Sequence, residues 1–111
     1  MAILRVIGGP DAGACVELAD LAVTIGRSRE CLFAITDEHA SMVHAVVEPC
    51  DLGWRVRDLE SASGTMVNGK ATNDRHLLTG DVITIGNTAI IFGSDMQKVG
   101  YASVDNAESP F

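Results

Sequence analysis

Arg27, Ser41 and the hydroxyl-rich run Ser61-Ala62-Ser63-Gly64-Thr65 are the residues of this 111-residue chain best suited to hold an oxyanion. A guanidinium forks onto phosphate oxygens and keeps its charge at any ordinary pH, and hydroxyls add donors of their own. Ile25-Gly26-Arg27, Ser41-Met42-Val43-His44 and the segment from Asp58 to Thr65, continuing into Val67-Asn68-Gly69, each lie at the end of an alternating apolar run. A fold that gathers those ends would gather the three segments. Taken singly, Arg27 reads as a solvated charge, Ser41 and Ser63 as turn formers, and His44 as a structural histidine. The order and spacing of all three segments carry the reading.

Other chemistries fail on mechanism. Gly64-Thr65-Met66-Val67-Asn68-Gly69-Lys70-Ala71 nearly spells a phosphate-binding loop, but Ala71 stands where a magnesium-binding hydroxyl is required. No helix-forming stretch follows before the turn residues Thr79-Gly80-Asp81. His39 and His44 are five apart, which aligns them on neither a strand nor a helix, and with Cys31 they match no metal-ligand spacing. Ser41 and His44 have no nucleophile elbow or orienting acid beside them. The expectation is a non-catalytic chain with no metal or cofactor.

The elements that must position these residues are strands. Residues 3–7 alternate and run into Gly8-Gly9-Pro10-Asp11-Ala12-Gly13, a turn-forming cluster. Residues 14–18 and 21–25 follow, with Leu21, Val23 and Ile25 expected on one face. Trp54 and Val56 alternate with Arg55 and Arg57, which places the arginines outward. Residues 82–85 and 88–92 flank Gly86-Asn87, a two-residue hairpin link. Strands at such intervals, with glycine at the junctions, predict an all-β antiparallel sandwich or barrel. Between Arg27 and Glu48, Leu32, Ile35, His39, Val43 and Val46 recur at helical spacing, and propensity alone would make the segment a helix. The order of the loop motifs instead predicts a loop, a short strand near residues 33–35, a second loop and a strand at 43–47.

Composition bounds the partners. The formal net charge of −7 repels a phosphate backbone, which argues against nucleic acid. No apolar run approaches the ~18 residues of a membrane span, and the first residues carry no secretory signal. Cys15, Cys31 and Cys50 are an odd number without a CxxC pair, which disfavours a disulfide framework or a zinc site and points to a reducing, cytoplasmic setting. Residues 94–111 lose the alternation and gather Ser, Asp, Asn and Gly, so a domain over 1–93 and a flexible tail over 94–111 are expected.

In the order Gly26-Arg27, Ser41–His44, Ser61-Ala62-Ser63-Gly64-Thr65 and Val67-Asn68-Gly69, the chain resembles the forkhead-associated (FHA) family of phosphothreonine-peptide binding modules. Ile35-Thr36-Asp37, Leu78-Thr79-Gly80-Asp81 and Ile83-Thr84-Ile85-Gly86 match as well. The resemblance implies a two-sheet sandwich of about eleven strands with its binding loops at one end. It implies that Arg27 and Ser41 hold the phosphate, and that Ser63, Met42 and Ala62 complete the peptide site. Gly26, His44, Gly64, Asn68 and Gly69 become scaffold. The implied partner is a phosphothreonine-containing protein or peptide in Ser/Thr-kinase signalling. Three positions depart from the family pattern. Ser63 replaces an asparagine that grips the ligand backbone, Ala62 a frequent hydroxyl, and Met42 a residue that is often basic or polar. These departures, with Asp37 and Glu38 expected to repel a dianion beside a partly compensating Arg29, motivate an alternative: a phosphate-independent interaction or assembly domain on the same scaffold.

Overall fold

A computed structural model of the protein describes residues 2–94. The strands are β1 (Ala2–Gly8), β2 (Cys15–Leu18), β3 (Val23–Gly26), β4 (Phe33–Ala34), β5 (Ala45–Cys50) and β6 (Gly53–Asp58), then β7 (Thr65–Val67), β8 (Lys70–Thr72), β9 (Asp74–Leu77), β10 (Val82–Ile85) and β11 (Thr88–Ser94). They form a six-stranded sheet in the order β2-β1-β11-β10-β7-β8 and a five-stranded sheet in the order β4-β3-β5-β6-β9. The eleven-stranded, all-β sandwich is the architecture the sequence leads one to expect. Pairing is antiparallel apart from β3 with β4, which run parallel through Ile25–Phe33 and Gly26–Ala34. The tail expected over 94–111 lies outside the described residues, except that Ser94 is the last residue of β11.

Alternation decides which side chains fill the space between the sheets. Leu4, Val6, Ile83, Ile85, Ile90 and Phe92 from one sheet meet Ile25, Val47, Val56 and Leu77 from the other, all essentially inaccessible to solvent. Burying one such side chain contributes about 1.5–3 kcal/mol, so this shared layer dominates the stability of a chain this short. On the outer face of the five-stranded sheet, Glu48 accepts hydrogen bonds from Arg55 at 2.9 Å and Arg57 at 3.0 Å, as the outward arginines require. The two arginines, through hydrogen bonds led by that of Arg57, hold the Glu48 carboxyl below its ordinary value despite partial burial.

Two turns fix the register. Asn68 and Gly69 both have positive φ, 53° and 84°, the pattern of a type I′ hairpin, and they join β7 to β8 with Val67 opposite Lys70. The near phosphate-binding loop is thus a strand, a turn and a strand. Gly86-Asn87 joins β10 to β11 with Ile85 opposite Thr88. Two strands start two residues later than expected. Leu21 is 65% exposed and precedes β3, because the pairing of Val23 with Val47 begins only after it. Val43 is exposed and β5 starts at Ala45, because the preceding residues turn back over Gly26. The helical spacing between Arg27 and Glu48 has no structural counterpart: Leu32 and Val43 face solvent while Ile35 and Val46 are buried.

Candidate functional site

The connections β3–β4, β4–β5 and β6–β7 meet at one end of the sandwich. Gly26 makes the approach possible. A Cβ there would lie 2.3 Å from the Met42 carbonyl oxygen and 3.0 Å from the His44 nitrogen. Its φ is not positive, so the glycine supplies room for a crossing backbone and not a left-handed turn. Across that contact the Arg27 N–H donates to the Ser41 carbonyl at 3.1 Å, and the Ser28 N–H to the Met42 carbonyl at 3.0 Å. The Cys31 thiol also donates to the Met42 carbonyl, at 3.3 Å, which gives this buried cysteine a structural task.

Arg27 and Ser41 are therefore neighbours. The Arg27 Nε–H donates to the Ala40 carbonyl at 2.6 Å, one residue before Ser41, which orients the guanidinium along that loop. Arg27 remains exposed, with the donors on its two terminal nitrogens directed to no carboxylate among the described residues. The Ser41 hydroxyl oxygen accepts the Ala62 N–H at 3.0 Å. Its own hydrogen is left to donate outward, and the accepted bond polarises that donor.

His44 is fully buried and joins all three loops. Its Nδ1 accepts the Ser41 N–H at 3.0 Å, so the ring proton resides on Nε2, which faces the Gly64 carbonyl at 2.8 Å and donates to it. The His44 N–H donates to the Ile25 carbonyl, and the His44 carbonyl accepts from Leu59. Ser61, Thr65 and Asp58 close the third loop. Asp58 Oδ1 accepts the Ser61 hydroxyl at 2.5 Å and the Thr65 hydroxyl at 2.7 Å, and Ser61 in turn accepts the Gly64 N–H at 2.9 Å. Partial burial pushes the Asp58 carboxyl up, but the Ser61 and Thr65 donors, with His44 nearby, bring it below its ordinary value.

The remaining expected site residues divide. Ala62 is exposed and contributes its backbone N–H to Ser41. Met42 is 53% exposed at the rim. Ser63 donates its hydroxyl to the His39 carbonyl at 3.0 Å, so its single donor ties two loops together and its oxygen alone is left for a ligand. Asn68 and Gly69 lie at the far end of β7, where Asn68 donates to Asp81 and accepts from the Val82 N–H, both at 2.9 Å. That pair of bonds is scaffold, away from Arg27 and Ser41.

Asp37 is not a source of surface repulsion. It is 2% exposed, and Oδ2 accepts the Asn87 N–H and the Thr88 hydroxyl, each at 2.7 Å, while Oδ1 accepts the His39 N–H at 2.9 Å. Burial pushes its carboxyl up, yet the His39, Thr88 and Asn87 donors outweigh this and hold it below the ordinary value. Asp11 plays a parallel part by accepting the Thr36 N–H and hydroxyl at 2.7 and 3.0 Å. Sequence reasoning missed the anchoring roles of Asp37 and Asp58. The local signals, Asp37 two residues before His39 and Asp58 three before Ser61, were the acid-to-backbone turns such spacings favour.

The comparisons with known proteins agree with this geometry. Residues 5–95 match the family described as the cytoplasmic domain of the inner membrane component of T3SS. Over 76 residues, or 68% of this chain, it is 41% identical to the ABC transporter ATP-binding/permease protein Rv1747 of Mycobacterium tuberculosis, covering 9% of that protein. It is 35% identical over 88 residues, or 78% of the chain, to the FHA domain-containing protein FhaB of Mycolicibacterium smegmatis. The chain spans 57% of FhaB, so these relatives are longer proteins. A solved structure from work on phosphothreonine-dependent FHA domain interactions superposes with a TM-score of 0.76 at 27% identity, covering 84% of this chain and 95% of that one. Sandwich, loop motifs and relatives coincide, and the chain belongs to the forkhead-associated domain family.

Proposed function

We propose that this domain recognises a phosphothreonine-containing peptide or protein, without catalysis of its own, as a cytoplasmic interaction module in Ser/Thr-kinase signalling. The observation that carries the reading is the Arg27–Ser41 clamp: a guanidinium oriented through Ala40, whose terminal donors meet no carboxylate among the described residues, beside a hydroxyl that accepts from Ala62 and keeps its own hydrogen to donate. A phosphothreonine carries close to two negative charges at neutral pH. Charge-assisted bonds from Arg27, Ser41 and the adjacent loop backbone match it. The solved FHA structure named for phosphothreonine dependence supports the same ligand class. A pocket lined by Gly64, Thr65, Ala71, Thr72 and Asn73 opens between the start of β7 and the end of β8, on the same loop that supplies Ala62 to Ser41.

One observation favours a second reading. The Ser63 donor is committed to His39, and Met42 offers an apolar rim, so fewer polar groups face a ligand than the family pattern provides. The alternative is phosphate-independent protein interaction or assembly on the same scaffold. Amide NMR of the protein titrated with a phosphothreonine peptide pool of degenerate flanks separates the two. The proposal expects saturable shifts at Arg27, Ser41 and Ala62 that the unphosphorylated pool does not produce. Identical responses to both pools would favour the alternative.

A further inference from the structure

The two sheets treat their outer faces differently. On the five-stranded sheet the outward positions carry Glu48, Arg55, Arg57 and Asp74, an ionic layer suited to water. On the six-stranded sheet the outward side chains of the central strands β10 and β11 are apolar apart from Thr84. Register places Ile91 beside both Arg5 and Val82, and Ala89 beside Thr84, which in turn neighbours Met66. Their partners on the inward side, Ile83, Ile85, Ile90 and Phe92, are fully buried. From Ala89 to Phe92, β11 is therefore apolar at both parities, and Val82 of β10 adds an outward apolar side chain beside it, with Thr84 the outward polar one. Strands with one solvated face alternate apolar and polar, whereas near-continuous apolar runs belong to strands covered on both faces. Here one cover is the partner sheet, and the other face is open: Ile3, Val82 and Ile91 are partly exposed and Ile7 is 51% exposed.

The charges on this face indicate what covers it. Outward on β1 and β2 stand Arg5 and Glu17, diagonal neighbours through the Ile3–Glu17 and Arg5–Cys15 pairs. Among the described residues, this one cation and one anion leave the face without net charge, on a chain whose formal charge is −7. Two copies would repel over most of their surface and least here. A two-fold axis between the layers sets Arg5 of one copy against Glu17 of the other, twice, so the patch complements itself as an isologous interface must. We infer that the outer face of the six-stranded sheet is a homodimer interface, on which a second copy of this chain packs sheet to sheet. The clamp lies in the loops at the sandwich end and stays accessible in such a pair.

Sedimentation analysis of the full chain over micromolar to millimolar concentration tests this, with the thermal melt of every variant checked first. A mass rising towards twice the monomer is expected. Ile91→Glu should weaken dimerisation by roughly tenfold or more, as truncation of a central apolar anchor does. Arg5→Glu and Glu17→Arg should each weaken it, and the double variant should restore it to within about threefold of the parent, since complementary charges fix partner choice. The charge variants remove no buried apolar contact, so they carry the test if Ile91→Glu fails to fold. A monomer at every concentration, or a dimer indifferent to these substitutions, overturns the inference.

Discussion

Asp37 and Thr88 are 51 residues apart in sequence, yet the Thr88 hydroxyl donates to the Asp37 carboxylate at 2.7 Å in a fully buried bond. That bond ties the β4–β5 loop, which carries Ser41, to the β10–β11 hairpin of the opposite sheet. The clamp is thus held from below by one carboxylate and from the side by His44, which contacts Ser41 and Gly64. Preorganisation of this kind reduces the ordering cost that binding must offset.

Arg27→Lys should not rescue Arg27→Ala. Lysine has no Nε–H to donate to Ala40 and no fork for two phosphate oxygens. Fluorescence anisotropy with a phosphothreonine peptide should show both variants weakened by a similar factor. Parent-like affinity in the lysine variant would mean that charge alone suffices.

Ser41→Ala removes a donor to phosphate and leaves the Ala62 N–H to water. A loss of about 1 kcal/mol, or roughly fivefold in affinity, is expected with little change in melting temperature. Competition binding and a thermal melt on the same sample check both halves.

Ser63→Asn should strengthen phosphopeptide binding several-fold. The longer amide can keep a donor on the His39 carbonyl and present a second polar group to the ligand backbone, which the serine hydroxyl cannot do at once. Unchanged affinity would place the peptide away from this loop.

Acid should weaken the loop anchors in a defined window. In the folded chain Asp37 and Asp58 ionise below the ordinary value of 3.8. Their contribution to stability is complete above the unfolded value, near pH 4, and is lost as pH falls through the lower folded values. Urea denaturation followed from neutral pH into the acid range should show a plateau and then a decline. Asp58→Asn should be less stable on the plateau and decline less steeply.

Gly26→Ala tests the close approach of the loops. A methyl group 2.3 Å from the Met42 carbonyl oxygen forces the β4–β5 loop outward, at about 1–3 kcal/mol or more. The melting temperature and phosphopeptide affinity should fall together.

Much of this arrangement was legible in the chain. Alternation located the strands, Asn68-Gly69 and Gly86-Asn87 marked hairpins, and the spaced Gly-Arg, Ser-x-x-His and Ser-rich segments marked the loops. The segment between Arg27 and Glu48 resisted local reading because tertiary crossing at Gly26, not propensity, shapes it. Asp37 looked like a surface acid because its donors come from residues 39, 87 and 88, and a contact across 51 residues leaves no local trace. The commitment of Ser63 to His39 was hidden for the same reason.

The most direct test of phosphate recognition is isothermal titration of matched phosphothreonine and threonine peptides against the parent chain and Arg27→Ala. The account expects binding of the phosphorylated peptide alone, weakened about ten- to hundredfold by Arg27→Ala, in line with the ~1.5–3 kcal/mol of a charge-assisted bond. Equal binding of both peptides, with no effect of Arg27→Ala, would contradict it.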